Sequence, residues 1–291
     1  MERLEGPKKH QMNLKQKLVI GYYRTKLIIW SKLSKRKAAE KAFELFCTPV
    51  PDKKKKHPKV FEQAEKLHLK MDDAKLVGYR WNHPQTKKAL ILHGFSSTIK
   101  KFDHFVIPLV KKGYEVIAFD APAHGESSGK QITVLTYKQT IAAIYEKFGP
   151  IHSFIAHSFG GLALTLFAEE LKYTAHKKIV LIAPATETKT AIKTFCDFLK
   201  IDDEVKAEIR TLIHEKSGLW IEDVSIRKSA YKIKADVLWI HDEEDEVTPW
   251  ADAEKVQQDA HPNFQFMITK GLGHRKIYRD TQVKKAVMDF L

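Results

Sequence analysis

The sequence predicts an α/β fold, a mostly parallel sheet with helices on both faces. Three observations carry this. Short apolar runs alternate with helical patterns from about residue 60 to the C-terminus, and alternation of that length implies parallel strands joined by crossover helices. One apolar run ends in Ile155-Ala156-His157-Ser158-Phe159-Gly160-Gly161, where small residues allow a strand to turn sharply into a helix. The alternation breaks only at 186–232, where two helical patterns follow each other with no strand between them.

The elements follow in order. Residues 12–47 read as one or two helices, with Leu14, Leu18, Tyr22 and Ala39, Ala42, Phe43, Phe46 at near-helical spacing. Gly21 weakens the first by ~1 kcal/mol relative to alanine. Their apolar faces either pack on the body of the protein or meet lipid. Thr48-Pro49-Val50-Pro51 and the lysine run 53–56 read as a linker, with a boundary near residue 58. This divides the chain into a basic helical extension, 1–58, and a larger domain, 59–291. In the larger domain, 66–71 and 75–81 form an antiparallel pair turning at Asp72-Asp73. Strands follow at 89–93, 115–120, 153–157, 179–183, 237–241 and 264–268, making eight. Helices are expected at 101–112, 132–148, 160–171 and 283–291; Gly113 and Gly149-Pro150 stop the first two. Crossovers in such a sheet are right-handed. The insertion carries helical patterns at 190–199 and 203–214. Its position after a strand suggests a lid over the strand ends, where ligands of open α/β sheets sit; the other reading is a helical pair that pads the sheet.

Composition bounds the partners. A chain of 291 residues with 43% hydrophobic content can build a sizeable core. Two distant cysteines, Cys47 and Cys196, make no disulfide framework and read as free thiols of a reducing compartment. Neither has a metal-site neighbour at the usual spacing, so no metal is expected. Residues 1–60 hold 17 Lys and Arg against 5 Asp and Glu, whereas the remainder holds 33 against 31. The basicity therefore belongs to the extension. It suggests weak contact with an anionic membrane, or merely a solvated basic face. No nucleic-acid partner is expected, because no recognised module surrounds these cations. Met1-Glu2-Arg3-Leu4-Glu5-Gly6-Pro7 lacks the apolar run of a signal peptide, and the stretch 18–30 is too short to span a bilayer. The expectation is a cytoplasmic protein, with peripheral contact at the inner membrane face as the further expectation. Neither a phosphate loop nor a dinucleotide fingerprint is present, so no cofactor is expected.

A serine hydroxyl is a poor nucleophile until a base takes its proton. Ser158, flanked by Ala156 and Gly160, resembles the nucleophile elbow G-x-S-x-G of the α/β-hydrolase superfamily, with alanine for the first glycine. The resemblance covers roughly residues 60–291 and implies an eight-stranded α/β-hydrolase sheet with a small helical lid. Gly271-Leu272-Gly273-His274 stands after the last strand, where the family carries its histidine; His274 is the implied base. His157 adjoins the serine, but successive strand side chains point to opposite sides, which makes it a poor base. In His241-Asp242-Glu243-Glu244-Asp245-Glu246-Val247-Thr248-Pro249 the family pattern selects Asp245 as the orienting acid, with Asp242 as runner-up. The resemblance makes the backbone N–H groups of Phe95 and Phe159 the oxyanion hole. Their rings are then free to wall an apolar acyl pocket, or serve as core. Asp120-Ala121-Pro122-Ala123-His124-Gly125-Glu126-Ser127 resembles the family's structural loop D-x-P-G-H-G-x-S, with Ala123 for a glycine. The implied function is a cofactor-free serine hydrolase cleaving a small-molecule carboxylic ester, thioester or lipid ester through an acyl-enzyme on Ser158. C–C bond hydrolysis or perhydrolysis on the same fold, and a degenerate fold that binds a ligand or protein, are the alternatives.

Overall fold

The computed structural model describes residues 14–51, 57–71, 74–171 and 176–291. The lysine run 53–56 and the turn at Asp72-Asp73 lie outside them. The described chain runs α1 (Leu14–Leu33), α2 (Lys35–Phe46), β1 (Glu65–Met71), β2 (Ala74–Trp81), β3 (Lys88–Leu92), α3 (Asp103–Lys111), β4 (Glu115–Phe119), α4 (Val134–Phe148), β5 (Ser153–His157) and α5 (Phe159–Ala168). It continues through β6 (Lys178–Ile182), α6 (Thr188–Leu199), α7 (Asp203–Ser217), α8 (Ile226–Ala230), β7 (Asp236–Asp242), α9 (Trp250–Gln258), β8 (Phe264–Thr269), α10 (Gly273–Lys276) and α11 (Thr281–Phe290). All eight expected strands are present within a residue or two of their expected bounds. Three short helices escaped the periodicity reading: α8, α9 and α10, of five, nine and four residues.

Two compact units share the chain: Met1–Phe46 with Ile192–Gly218, and Cys47–Ala191 with Leu219–Leu291. In the first, α2 packs against α7 through Ala38, Ala39 and Ala42, which are completely buried. Side chains this small let helix axes approach closely. Ser31 donates to Asp202 at 2.6 Å, Lys35 pairs with Glu204 at 2.8 Å, and Arg36 pairs with Glu215. Asp202 also caps α7 by accepting from the Val205 amide at 2.9 Å.

The second unit holds the sheet, in the order β1-β2-β4-β3-β5-β6-β7-β8. β2 runs antiparallel to both neighbours, and every later pair is parallel. Alternation along the strands divides the core. Leu90, Leu92, Phe154, Ala156, Leu181 and Trp239 face the side covered by α4, α5, α8 and α9. Ala89, Ile91, Ile155, Val180, Ile182 and Ile240 face the side covered by α3 and α11. The central strands are therefore apolar on both faces, as a parallel sheet covered on both sides requires. Parallel pairing also puts the C-terminal ends of β3, β5, β6, β7 and β8 along one edge. Leu92 lies opposite Ala156, His157 opposite Ile182, and Asp242 opposite Thr269. The segments carrying Phe95, Ser158, Asp245 and His274 all leave the sheet at that edge.

Strand β2 contains a glycine for a packing reason. A Cβ at Gly78 would lie 2.6 Å from the ring of Phe119, its register partner on β4. Gly78→Val should therefore destabilise the fold by about 1–3 kcal/mol through overpacking. In a Phe119→Ala background that increment should shrink, because the obstructing ring is gone. Urea unfolding of the four proteins in this cycle gives the comparison; an equal cost in both backgrounds would show that the ring is not the constraint.

Candidate active site

Ser158 terminates β5 and begins α5 with φ 54° and ψ −122°, a region rarely occupied by any residue but glycine. The turn is held by hydrogen bonds: the Ser158 amide donates to Ile182 O at 3.1 Å, and the amides of Gly161 and Ala185 donate to Ser158 O at 2.9 and 3.1 Å. Small neighbours are compulsory. A Cβ at Gly160 would stand 2.6 Å from His93 O, and one at Gly94 2.9 Å from the Ser158 Cβ. Ala156, in place of the family's first glycine, is fully buried, so a methyl group fits there.

The structure brings Ser158, His274 and Asp245 together. Ser158 Oγ and His274 Nε2 are 3.0 Å apart, and His274 Nδ1 and Asp245 Oδ2 are 2.8 Å apart. The carboxylate fixes the tautomer: Nδ1–H donates to Asp245, which leaves Nε2 as the acceptor of the serine proton. Asp245 Oδ1 accepts from the amides of Val247 and Thr248 at 2.8 and 2.9 Å. Burial alone would raise the Asp245 carboxyl, but the bonds from His274 and these amides outweigh it and hold the group below its ordinary value. Asp242, the runner-up, is occupied elsewhere. Its Oδ2 accepts from the Leu272 amide at 3.0 Å and the Thr269 hydroxyl at 2.7 Å, so it anchors the loop that carries His274.

The segment after β3 is braced by two histidines. His93 donates from Nδ1 to Gly94 O at 2.8 Å and accepts the Ala121 amide on Nε2 at 2.9 Å. His124 donates from Nδ1 to Pro122 O at 2.9 Å and accepts the Ser96 amide on Nε2, also at 2.9 Å. Burial depresses both to a pKa of about 4. Each must remain neutral to accept an amide. Asp120 supports the same loop, accepting from the Ile99 and Glu126 amides at 3.0 Å each. Val50, from the stretch read as linker, donates its amide to Ser96 Oγ at 2.9 Å. Among the described residues the amides of Phe95 and Phe159 have no hydrogen-bond partner. Their rings meet edge to face, with centroids 5.7 Å apart. The Phe95 ring is 36% exposed and thus not core.

Sequence reasoning missed three groups. Thr248 Oγ1 donates to Asp245 Oδ2 at 2.9 Å and lies 3.1 Å from His274 Nδ1; an Asx turn at Asp245-x-x-Thr248 was its only signal. His93 and His124 are fixed by contacts between distant segments, which no local pattern records. The His157 ring packs against that of His274, with centroids 4.7 Å apart, and donates from Nε2 to His274 O at 3.1 Å. It thereby holds the backbone of His274. Its Nδ1 is buried without a partner among the described residues, and burial, followed by the charge of His274, depresses its pKa to about 3. Also among the described residues, no group of three or more His, Cys, Asp or Glu is arranged to hold a metal ion. No helix there is long and apolar enough to cross a membrane.

Residues 83–217 match the family model described as serine aminopeptidase, S33. The chain is 26% identical over 114 residues to a Mycoplasma pneumoniae protein named as an esterase/lipase, covering 38% of this chain and 42% of that one. It is 27% identical over 128 residues to the uncharacterized hydrolase YugF of Bacillus subtilis, covering 43% and 46%. The matched part thus spans less than half the length of either curated relative. Among solved structures, the esterase Pf2001 of Pyrococcus furiosus superposes with a TM-score of 0.63 at 21% identity, covering 84% of this chain and 95% of that one. At that identity the likeness is one of fold.

The buried histidines set a pH dependence of stability. His93, His124 and His157 titrate at about 4, 4 and 3 when folded, against 6.5 when unfolded. Below 6.5 the unfolded chain binds protons that the native state refuses, so stability falls with falling pH. Each histidine can contribute a slope of up to ~1.4 kcal/mol per pH unit in that window. The depressed Asp245 acts in the same direction at lower pH, its stabilisation being lost as pH falls through its folded value. Urea midpoints measured from about pH 7 down to about pH 5 should decline steadily; a flat profile would contradict the neutral, amide-accepting state assigned to these rings.

Proposed function

From the premise that this chain belongs to the α/β-hydrolase superfamily, we propose that it is a serine hydrolase acting on carboxylic esters, thioesters or lipid esters. The observation that carries this reading is the unbroken line from Ser158 Oγ through His274 to Asp245, with contacts of 3.0 and 2.8 Å. Hydrogen-bond reach between nucleophile and base, with the base oriented by a third group, is the general requirement for an activated alcohol.

The mechanism follows from these positions. Ser158 Oγ attacks the acyl carbon while Nε2 of His274 takes the hydroxyl proton. Negative charge moves to the carbonyl oxygen, which the Phe95 and Phe159 amides receive. Asp245 stabilises the imidazolium by accepting from Nδ1 without itself taking the proton. Collapse of the tetrahedral adduct breaks the bond to the alkoxy or thiolate group, and His274 returns its proton to that leaving group. A water molecule then attacks the acyl-enzyme, His274 again serves as base, and the carboxylic acid leaves with Ser158 restored. The two phenyl rings wall the acyl portion, a role consistent with the exposed edge of Phe95.

Labelling by a fluorophosphonate probe should be strong in the native chain and absent in Ser158→Ala. A native chain that resists the probe would favour a binding role for the fold. Against small aryl esters, Ser158→Ala should lower kcat by about 10,000-fold or more, and Asp245→Asn should cost nearly as much. Asp242→Asn should retain most activity, since asparagine can still accept amide hydrogen bonds. Full activity in Ser158→Ala, or a larger loss from Asp242→Asn than from Asp245→Asn, would overturn the assignment.

A further inference from the structure

We infer that α1 docks on an anionic lipid surface, lying in the headgroup plane. Helix α1 is apolar on two opposite sides. One side, with Leu27 only 7% exposed and Ser31 bonded to Asp202, faces into its own unit. The other carries Leu14, Leu18, Tyr22, Ile29 and Leu33, spaced by four, four, seven and four residues along one stripe. Leu14, Leu18 and Leu33 are 73%, 64% and 72% exposed. Seven of the fifteen exposed large hydrophobic side chains among the described residues belong to this helix. Exposed apolar surface concentrated on one element is the mark of an interaction site.

Charge selects the occupant. The sequence of α1 contains five Lys or Arg and no Asp or Glu. Lys26 borders the apolar stripe, its ammonium standing 5.6 Å over the Tyr22 ring, whereas Arg24 donates to Phe198 O within the unit. Acids of the same unit are engaged away from the stripe, Asp202 with Ser31 and Lys35, and Glu215 with Arg36. A cationic helix with a bare apolar stripe suits an interface of anionic headgroups over acyl chains. A second copy of the same stripe would bring five cations against five, which repel. The helix is not apolar enough to cross the bilayer, so it lies on the surface.

Vesicle co-sedimentation of the full chain tests this without reference to activity. Phosphatidylcholine vesicles carrying about one third phosphatidylserine should bind the chain at least ~10-fold more tightly than pure phosphatidylcholine, and the advantage should vanish in about 0.5 M salt. Leu18→Glu with Ile29→Glu should abolish binding, the circular dichroism spectrum remaining native because both side chains are exposed. Lys17→Glu with Lys26→Glu, a second variant that spares the apolar stripe, should remove the preference for anionic vesicles. The inference is overturned by equal binding to neutral and anionic vesicles, by no binding to either, or by indifference to both variants. A lipid-free dimer that Leu18→Glu with Ile29→Glu dissociates would overturn it in favour of a second copy.

Discussion

A serine held at φ 54° is the constraint on which the site depends. Such a backbone typically costs ~1–3 kcal/mol and persists only where surrounding contacts over-determine it. Here backbone hydrogen bonds tie the turn to the end of β6, to Ala185 beyond it and to α5, and the absence of a side chain at Gly160 lets α5 start against His93 O. The strain has a geometric return. It raises Oγ above the edge of the sheet, where the loops after β8 and β7 bring His274 and Asp245. Without the turn, the side chain would project from one face of the sheet and the histidine loop would have nothing to meet.

Around that turn the site is built from neutral, directional hydrogen bonds. His93 and His124 each give one proton to a carbonyl and take one amide, which fixes both tautomers and the loop ahead of Phe95. His157 gives its Nε2 proton to the backbone of His274. Burial keeps these three rings uncharged, and of the site's imidazoles that of His274 lies within hydrogen-bond reach of both Ser158 and Asp245. The bonds from His274 and two amides hold Asp245 below its ordinary value.

Much of this was legible before the coordinates. Strands buried on both faces announce themselves as short unbroken apolar runs, which is why β3 to β7 are legible in the sequence to within a residue or so. Ser158 was marked by Ala156 and Gly160, and His274 by its glycines, because close backbone approach leaves a trace in residue size. What was illegible depends on pairs distant in sequence. Nothing local says that Val50 meets Ser96, or that α2 meets α7, more than 150 residues later. Thr248 reads as an ordinary turn threonine until the Asp245 carboxylate is seen beside it. The periodicity of α1 was blurred for a physical reason: apolar residues on two opposite sides nearly cancel as an amphipathic signal.

The central claim is that Ser158 becomes a covalent carrier of the acyl group. Intact-mass spectrometry of the chain quenched with acid during turnover of an activated aryl ester, followed by peptide mapping, addresses it directly. The account predicts a mass increase equal to one acyl group, located on the peptide containing Ser158 and absent in Ser158→Ala. Hydrolysis proceeding with no adduct under any quench time, or with the acyl group on another residue, would contradict it.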